Sequence, residues 1–270
     1  MNALFPYPGS KWNLMKQLIP LLPAHDHYVS VFGGSGAEIL AKPPSLRETF
    51  NDLDEEVYNV FRTIQNEHDA DRLAAQVEIP LSRDFYNQAL QVIREPIRDS
   101  VVSAAAFLVV AYQGLNVGHP LLKRRCNWRI LPEVCKVRKW LALPATIRSV
   151  GNRLRQVHLE NRHWSSVIRE YDSPGTVFFI DPPYYPGTVA RLYYETMTQA
   201  EHPALLAAIN RLQGKAIICN YANPLYDQAL SGWHRQEFLT AANLTGHRLP
   251  RTEVVWLNYN PNATALWLPP

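Results

Sequence analysis

The sequence predicts an α/β fold: a mostly parallel, doubly wound sheet into which a helical segment is inserted. Three observations predict it. Short runs of β-branched and aromatic residues alternate with patterns of helical period, as they do when helices cover both faces of a sheet. The interiors of those runs are apolar at consecutive positions, which suits strands buried on both sides. Finally, about 120 mostly helical residues separate the second run from the third, far too many for a single crossover connection.

Taken in order, His27–Phe32 (HYVSVF) is the first expected strand, followed by a glycine-rich turn and a short helical pattern, AEILA. Arg47–Asn51 (RETFN) is the second. A helix is expected over Glu55–Gln65, where Val57, Val60, Phe61 and Ile64 fall on one face, with Asp54 as its N-cap. Val101–Tyr112 (VVSAAAFLVVAY) is apolar but short of the roughly 18 residues that span a bilayer, so it reads as a buried core helix. Thr176–Ile180 (TVFFI), Lys215–Cys219 (KAIIC) and Glu253–Asn258 (EVVWLN) complete the strands. A helix near Pro203–Leu212 places Leu205, Leu206, Ile209 and Leu212 at core spacing. The sequence contains no internal repeat or low-complexity tract.

With 47% hydrophobic and 19% charged residues, the 270-residue composition is ordinary for a soluble globular protein. The first residues, MNALFPYPGSKW, lack the basic and apolar regions of a signal peptide, so the expectation is a cytoplasmic protein without a membrane segment. Cys126, Cys135 and Cys219 are too few and too scattered for a disulfide framework or a zinc site, and are expected as reduced thiols. The net charge of +3 says little, but its distribution says more. Gln113–Glu170 holds twelve Lys and Arg against three Asp and Glu, a local +9 that leaves −6 for the remainder. A basic middle third in an acidic chain favours a polyanion-binding face over a merely solvated basic surface.

Three motifs carry chemistry. Phe32-Gly33-Gly34-Ser35-Gly36 joins a strand to a helix, where missing Cβ atoms let backbone turn sharply and approach a ligand. Alone, such a turn is equally a tight connection with no ligand. Asp52 ends the second strand sixteen positions beyond Gly36, where doubly wound folds place an acid on two ribose hydroxyls. Capping a helix is the plainer role for the Asp52–Asp54 pair, but turn and acid together favour a nucleoside ligand. The third motif is Asp181-Pro182-Pro183-Tyr184, directly after TVFFI. Neither proline can donate to a strand ladder, and each restricts the residue before it to extended backbone. The Asp181 carboxylate and the Pro182 carbonyl are thereby held at the sheet edge as two acceptors, matching the two hydrogens of an amino group. Tyr184 offers a face on which a base can stack.

The Asp-Pro-Pro-Tyr tetrad, with PYPGSKW upstream and the glycine turn between, resembles the Dam-like group of adenine-N6 DNA methyltransferases. The resemblance extends over most of the chain and keeps the family's motif order. It implies a Rossmann-like class I methyltransferase core formed by 1–56 and 165–270, with 57–164 as a mostly helical target-recognition insert. It implies S-adenosylmethionine as methyl donor, no metal, and double-stranded DNA as partner. Pro6–Trp12 resembles the family's N-terminal cofactor motif, so Tyr7 and Lys11 would meet the donor. Phe32, Gly34, Ser35, Gly36, Asp52 and Asp181 would complete the donor site, and Asp181, Pro182, Pro183 and Tyr184 the catalytic tetrad. Lys11 is left between two roles, near the donor's carboxylate or near the target base. In the insert, Lys123, Arg124 and Arg125 would meet phosphates, and Asn116 and Arg129 would reach base edges.

The sequence departs from the family pattern in four places. Ser10 stands where a second glycine is usual, and Ser30-Val31 where Glu-Pro is common, which removes a carboxylate near the donor's methionine moiety. AYQGLNVG matches the family's recognition segment only loosely, and His163-Trp164 replaces a common Asp-Phe. Two other functions share these features: transfer to cytosine N4, where Ser more often precedes Pro-Pro, and a non-catalytic DNA-binding homologue. A dinucleotide-dependent dehydrogenase would leave Asp181–Tyr184 unexplained.

Overall fold

The computed structural model describes residues 3–95, 99–114, 120, 128, 134–185, 197–244 and 247–262. Met15–Leu18 (α1) leads into His27–Ser30 (β1), which is buried throughout. The glycine turn then enters Ala37–Ala41 (α2), followed by Arg47–Asn51 (β2). Six helices come next: Glu55–Gln65 (α3), Glu67–Gln76 (α4), Arg83–Val92 (α5), Ser100–Gln113 (α6), Val134–Leu141 (α7) and Leu143–Leu154 (α8). The chain returns to the sheet as Val157–Glu160 (β3), then Trp164–Tyr171 (α9), Thr176–Ile180 (β4) and Glu201–Ile209 (α10). Lys215–Tyr221 (β5), Pro224–Ala229 (α11), His234–Leu244 (β6) and His247–Leu257 (β7) follow.

The seven strands run in the order β3-β2-β1-β4-β5-β7-β6. The first five are parallel, and β7 lies antiparallel between β5 and β6. Strand pleating sends alternate residues to opposite faces, and the core divides accordingly. Tyr28, Val177, Phe179, Ile217, Cys219 and Val255 join one apolar cluster; Val29, Phe178, Ile180, Ile218, Val254 and Trp256 join the other. Helices α3–α6 and α8 pack into the first cluster, and α9, α10 and α11 into the second.

Local sequence accounts for the helices that were expected. The Asp54 carboxylate accepts hydrogen bonds from the Glu56 and Val57 amides at 3.0 and 3.3 Å and caps α3, whose Val57, Val60, Phe61 and Ile64 are fully buried. Helix α6 is apolar nearly all round and correspondingly buried on nearly all sides. Two strands were not anticipated. In β3, VHLE alternates with polar residues at the sheet edge, and its position lies inside the 57–164 range expected for the insert. The helices of that range share one core with the sheet rather than standing apart from it. In β6, HRQEFLTAANL is a polar strand at the opposite edge, where only one neighbour, β7, is needed. The first expected strand ends at Ser30, and the last begins earlier, at His247. Among the described residues, no helix is long and apolar enough to cross a membrane.

Phe61 joins the insert to the sheet. Its ring lies 4.3 Å from that of Phe50 on β2 and 6.0 Å from that of Phe5, with no exposure. Phe61→Ala should therefore cost about 3–5 kcal/mol of unfolding free energy in urea titration. A loss below about 1 kcal/mol would show that the site collapses around the deletion or that the pair is not part of the core.

Candidate functional site

Strand order reverses between β1 and β4, and open α/β sheets bind ligands outside the carboxyl ends of the strands at such a switch point. The loops there enclose a cavity that is partly open to solvent. Its wall is built from the N-terminal segment Tyr7–Lys11, the turn after β1, the end of β2, Arg162–Trp164 after β3, and Asp181 and Pro183 after β4. Asn51 ties three strand ends together: its side-chain amide donates to the Val31 and Arg162 carbonyls at 2.8 and 3.0 Å, and its oxygen accepts from the Arg162 amide at 2.9 Å.

The glycine turn needs its glycines for two separate reasons. A Cβ on Gly33 would lie 2.1 Å from the Phe50 ring, so the strand end can approach the core only without one. Gly34 has φ +50°, and a Cβ there would meet the Tyr7 ring at 2.9 Å. The turn is fixed from two sides. The Gly34 amide donates to Asp52 Oδ2 at 2.6 Å, and Ser10 Oγ meets Ser35 Oγ at 2.8 Å, joining the N-terminal segment to the turn. Asp52 Oδ1 accepts from the Asp54 amide at 2.8 Å, so Asp52 orders the loop while Asp54 caps the helix.

A charged cluster adjoins this cavity. Lys11 Nζ donates to Asp181 Oδ1 at 2.9 Å, to the Tyr184 hydroxyl at 2.5 Å and to the Gly9 carbonyl at 3.1 Å, and lies 3.9 Å from Glu253 Oε2. The Tyr184 hydroxyl donates onward to Glu253, with both carboxylate oxygens 2.7 Å away. Burial pushes the Asp181 carboxyl up to about 6; Lys11 opposes that shift and Glu253 reinforces it. Burial alone would lower Lys11, but Asp181, Tyr184 and Glu253 outweigh it and hold the ammonium well above its ordinary value. Burial likewise raises the Tyr184 phenol, with Lys11 opposing. The Tyr184 ring stands edge-on to Tyr221, with centroids 4.4 Å apart.

The structure thus brings Tyr7, Lys11, Phe32, Gly34, Ser35, Asp52, Asp181 and Pro183 into one wall. Gly36 starts α2 from a left-handed conformation, and Pro182 and Tyr184 lie outside the wall, Tyr184 being reached through Lys11. Between the two roles left to it, Lys11 is placed against the acid and phenol of the tetrad. Asn116, Lys123, Arg124, Arg125 and Arg129 lie outside the described residues. Sequence reasoning missed Glu38, Glu201 and Glu253. His163, noted only as a departure, meets Glu201 at 3.1 Å across the cavity rim. Where the resemblance expects a carboxylate at position 30, the Ser30 hydroxyl instead donates to Glu38 Oε1 at 2.5 Å. Among the described residues no group of His, Cys, Asp and Glu is arranged to hold a metal ion.

A doubly wound sheet with a switch-point cavity, an acid after β2 and an Asp-Pro-Pro-Tyr edge after β4 defines a Rossmann-like protein of the methyltransferase type. The comparison by family agrees: a model described as D12 class N6 adenine-specific DNA methyltransferase matches residues 7–241, and the chain belongs to that family. Among solved structures, it is similar to a SAM dependent methyltransferase from Agrobacterium tumefaciens, at 10% identity and a TM-score of 0.38. That similarity covers 92% of this chain and 61% of the other, so this chain spans less than two thirds of the length of that relative. No curated protein matches it.

The Lys11–Asp181 contact can be measured by titration. In an NMR titration of the ligand-free protein, Asp181 should titrate near about 6 rather than its ordinary 3.8. Because the folded value is the higher one, this group's contribution to stability is present at low pH and is lost as pH rises through about 6. Lys11→Met removes the opposing cation and should move the midpoint further up. A downward shift, or none, would mean that Lys11 does not govern the acid.

Proposed function

We propose that this chain transfers a methyl group from S-adenosylmethionine to the exocyclic N6 of an adenine flipped out of double-stranded DNA. The observation that carries this reading is Asp181, an acid directly after β4 that lines the cavity and is linked to Tyr184 through Lys11. The cavity suits the donor. Gly34 leaves room at the turn, the Asp52 carboxylate lines the cavity as an acceptor for ribose hydroxyls, and Lys11 and Asp181 present both signs of charge. When bound, S-adenosylmethionine supplies a methyl group already activated as a sulfonium.

The protein must then make a poor nucleophile reactive. The adenine N6 lone pair is delocalised into the ring, and in a duplex the amine is paired and stacked, so the base must be extruded at a cost of a few kcal/mol. Asp181 and the Pro182 carbonyl accept the two N6 hydrogens and favour a pyramidal nitrogen. Those hydrogen bonds strengthen as positive charge develops on nitrogen, so they stabilise the transition state more than the substrate. Lys11 keeps Asp181 ionised near neutral pH despite burial, and Glu253 anchors Tyr184 beside the flipped base. The part of 57–164 that precedes the return of the chain at β3 would carry the DNA contacts, with the sheet holding the donor.

Asp181→Ala should lower methyl transfer at least ~100-fold, the scale of one preorganised transition-state contact, while donor and DNA binding persist. Transfer within a few-fold of wild type would show that another group orients the amine. Donor binding without transfer in the wild-type protein would instead favour a non-catalytic DNA-binding homologue.

The basic stretch gives a second expectation. Neutralising Lys123, Arg124 and Arg125 together should flatten the slope of log affinity against log salt by up to ~2–3 units and weaken target and non-target duplexes alike. Loss confined to the target duplex, at unchanged slope, would make these residues base readers.

A further inference from the structure

Within the cavity wall one ionisable group has no part in the chemistry above. Glu38, in the first turn of α2, is 5% exposed and lines the cavity. Its opposite side faces a pocket of Met15, Leu18, Leu22 and Phe179 that Tyr28 and Lys42 also line. The Ser30 hydroxyl holds one of its oxygens, and among the described residues no ion pair reaches it. The nearby cations are committed elsewhere: Lys11 to Asp181 and Tyr184, Lys42 to Glu48 and Ser45. Burial, with Asp181 and Asp52 adding like charge, pushes the carboxyl up to about 7 against the pull of the Ser30 bond.

A carboxylate buried beside two others is unfavourable unless a cation arrives to compensate it. We propose that Glu38 receives the α-ammonium group of the methyl donor's amino-acid tail, an inference that rests on the donor reading above. Ser30 is the second part of the device. It stands where the family resemblance expects a carboxylate, and its hydroxyl spans from β1 to the acid eight positions on. The acid is carried by the helix that follows the strand, and the serine orients it. Glu38 is thus a donor-binding residue and Ser30 a positioning one.

The test uses calorimetry with S-adenosylhomocysteine, its deaminated analogue, and 5′-methylthioadenosine, which lacks the amino-acid tail. Glu38→Gln keeps the shape and the Ser30 contact. It should weaken S-adenosylhomocysteine at least ~10-fold, as loss of a charged hydrogen bond does, and leave methylthioadenosine within about twofold. In wild type the deaminated analogue should bind at least ~10-fold more weakly than S-adenosylhomocysteine, and the variant should lose that discrimination. Equal binding of S-adenosylhomocysteine by wild type and variant overturns the proposal. So does equal binding of the two analogues by wild type, a result that does not depend on how the variant folds. If wild type binds neither S-adenosylhomocysteine nor methylthioadenosine, the donor reading itself fails, a different outcome from the failure of Glu38.

Discussion

The architecture of the site depends on one buried ammonium. Lys11 comes from a loop near the start of the chain, Asp181 from the end of β4 and Glu253 from β7, and all three meet within 4 Å of Nζ. A lysine that is 5% exposed is tolerable only when its partners are close and its protons are used, because desolvation otherwise exceeds the Coulombic gain. Here three acceptors take hydrogen bonds from it. The N-terminal segment must therefore dock against the carboxyl edge of the sheet for the tetrad to adopt this geometry. The Ser10–Ser35 contact then carries that docking to the glycine turn. One ion pair thus sets the positions of both the Asp-Pro-Pro-Tyr edge and the glycine turn.

That pairing also sets the balance of charge around the cavity. Glu38, Asp52, Asp54, Asp181 and Glu201 line it with Arg162, while Lys11 is its buried cation and is bonded to Asp181. Asp181 and Glu38 are both raised toward neutrality, which is the signature of carboxylates crowded into low dielectric without full compensation. Burial is the larger cause in each, so cationic groups that enter the cavity would favour the ionised form of both. A ligand bearing positive charge gains from every acid in the wall, whereas a neutral nucleoside gains chiefly from the shape of the turn and from Asp52.

How much of this was legible in the sequence depended on how local each signal is. The helix α3 and its Asp54 cap, the buried α6, and the strands at 47–51 and 176–180 are encoded in runs of residues whose period and end signals agree. The glycine turn, Asp52 and Asp181 were legible because backbone demands and residue chemistry coincide within a few positions. Two strands were not, since edge strands β3 and β6 alternate with polar residues and have little apolar run to announce them. Glu253 read only as the start of an apolar strand; its role exists because β7 runs antiparallel beside β5 and carries it to Tyr184. Glu38 was equally hidden. The resemblance expects a carboxylate at 30, but only the structure shows that the Ser30 hydroxyl donates to Glu38 on the helix that follows.

The local packing suits a serine at 30 and an acid at 38. Position 30 is fully buried between parallel neighbours, where a serine fits the pleat at no cost in charge burial. Position 38 lies in the first turn of a helix whose N-terminal amides favour negative charge nearby, though a helix of five residues contributes little of that field by itself. The acid is instead held by the Ser30 hydroxyl and by its place in the cavity wall. Charge at this spot is therefore a property of the pocket rather than of one position in the chain. What must be kept is an acid reachable from the cavity and fixed by a neighbour. Strand end and helix start both satisfy that requirement, because the glycine turn places them side by side.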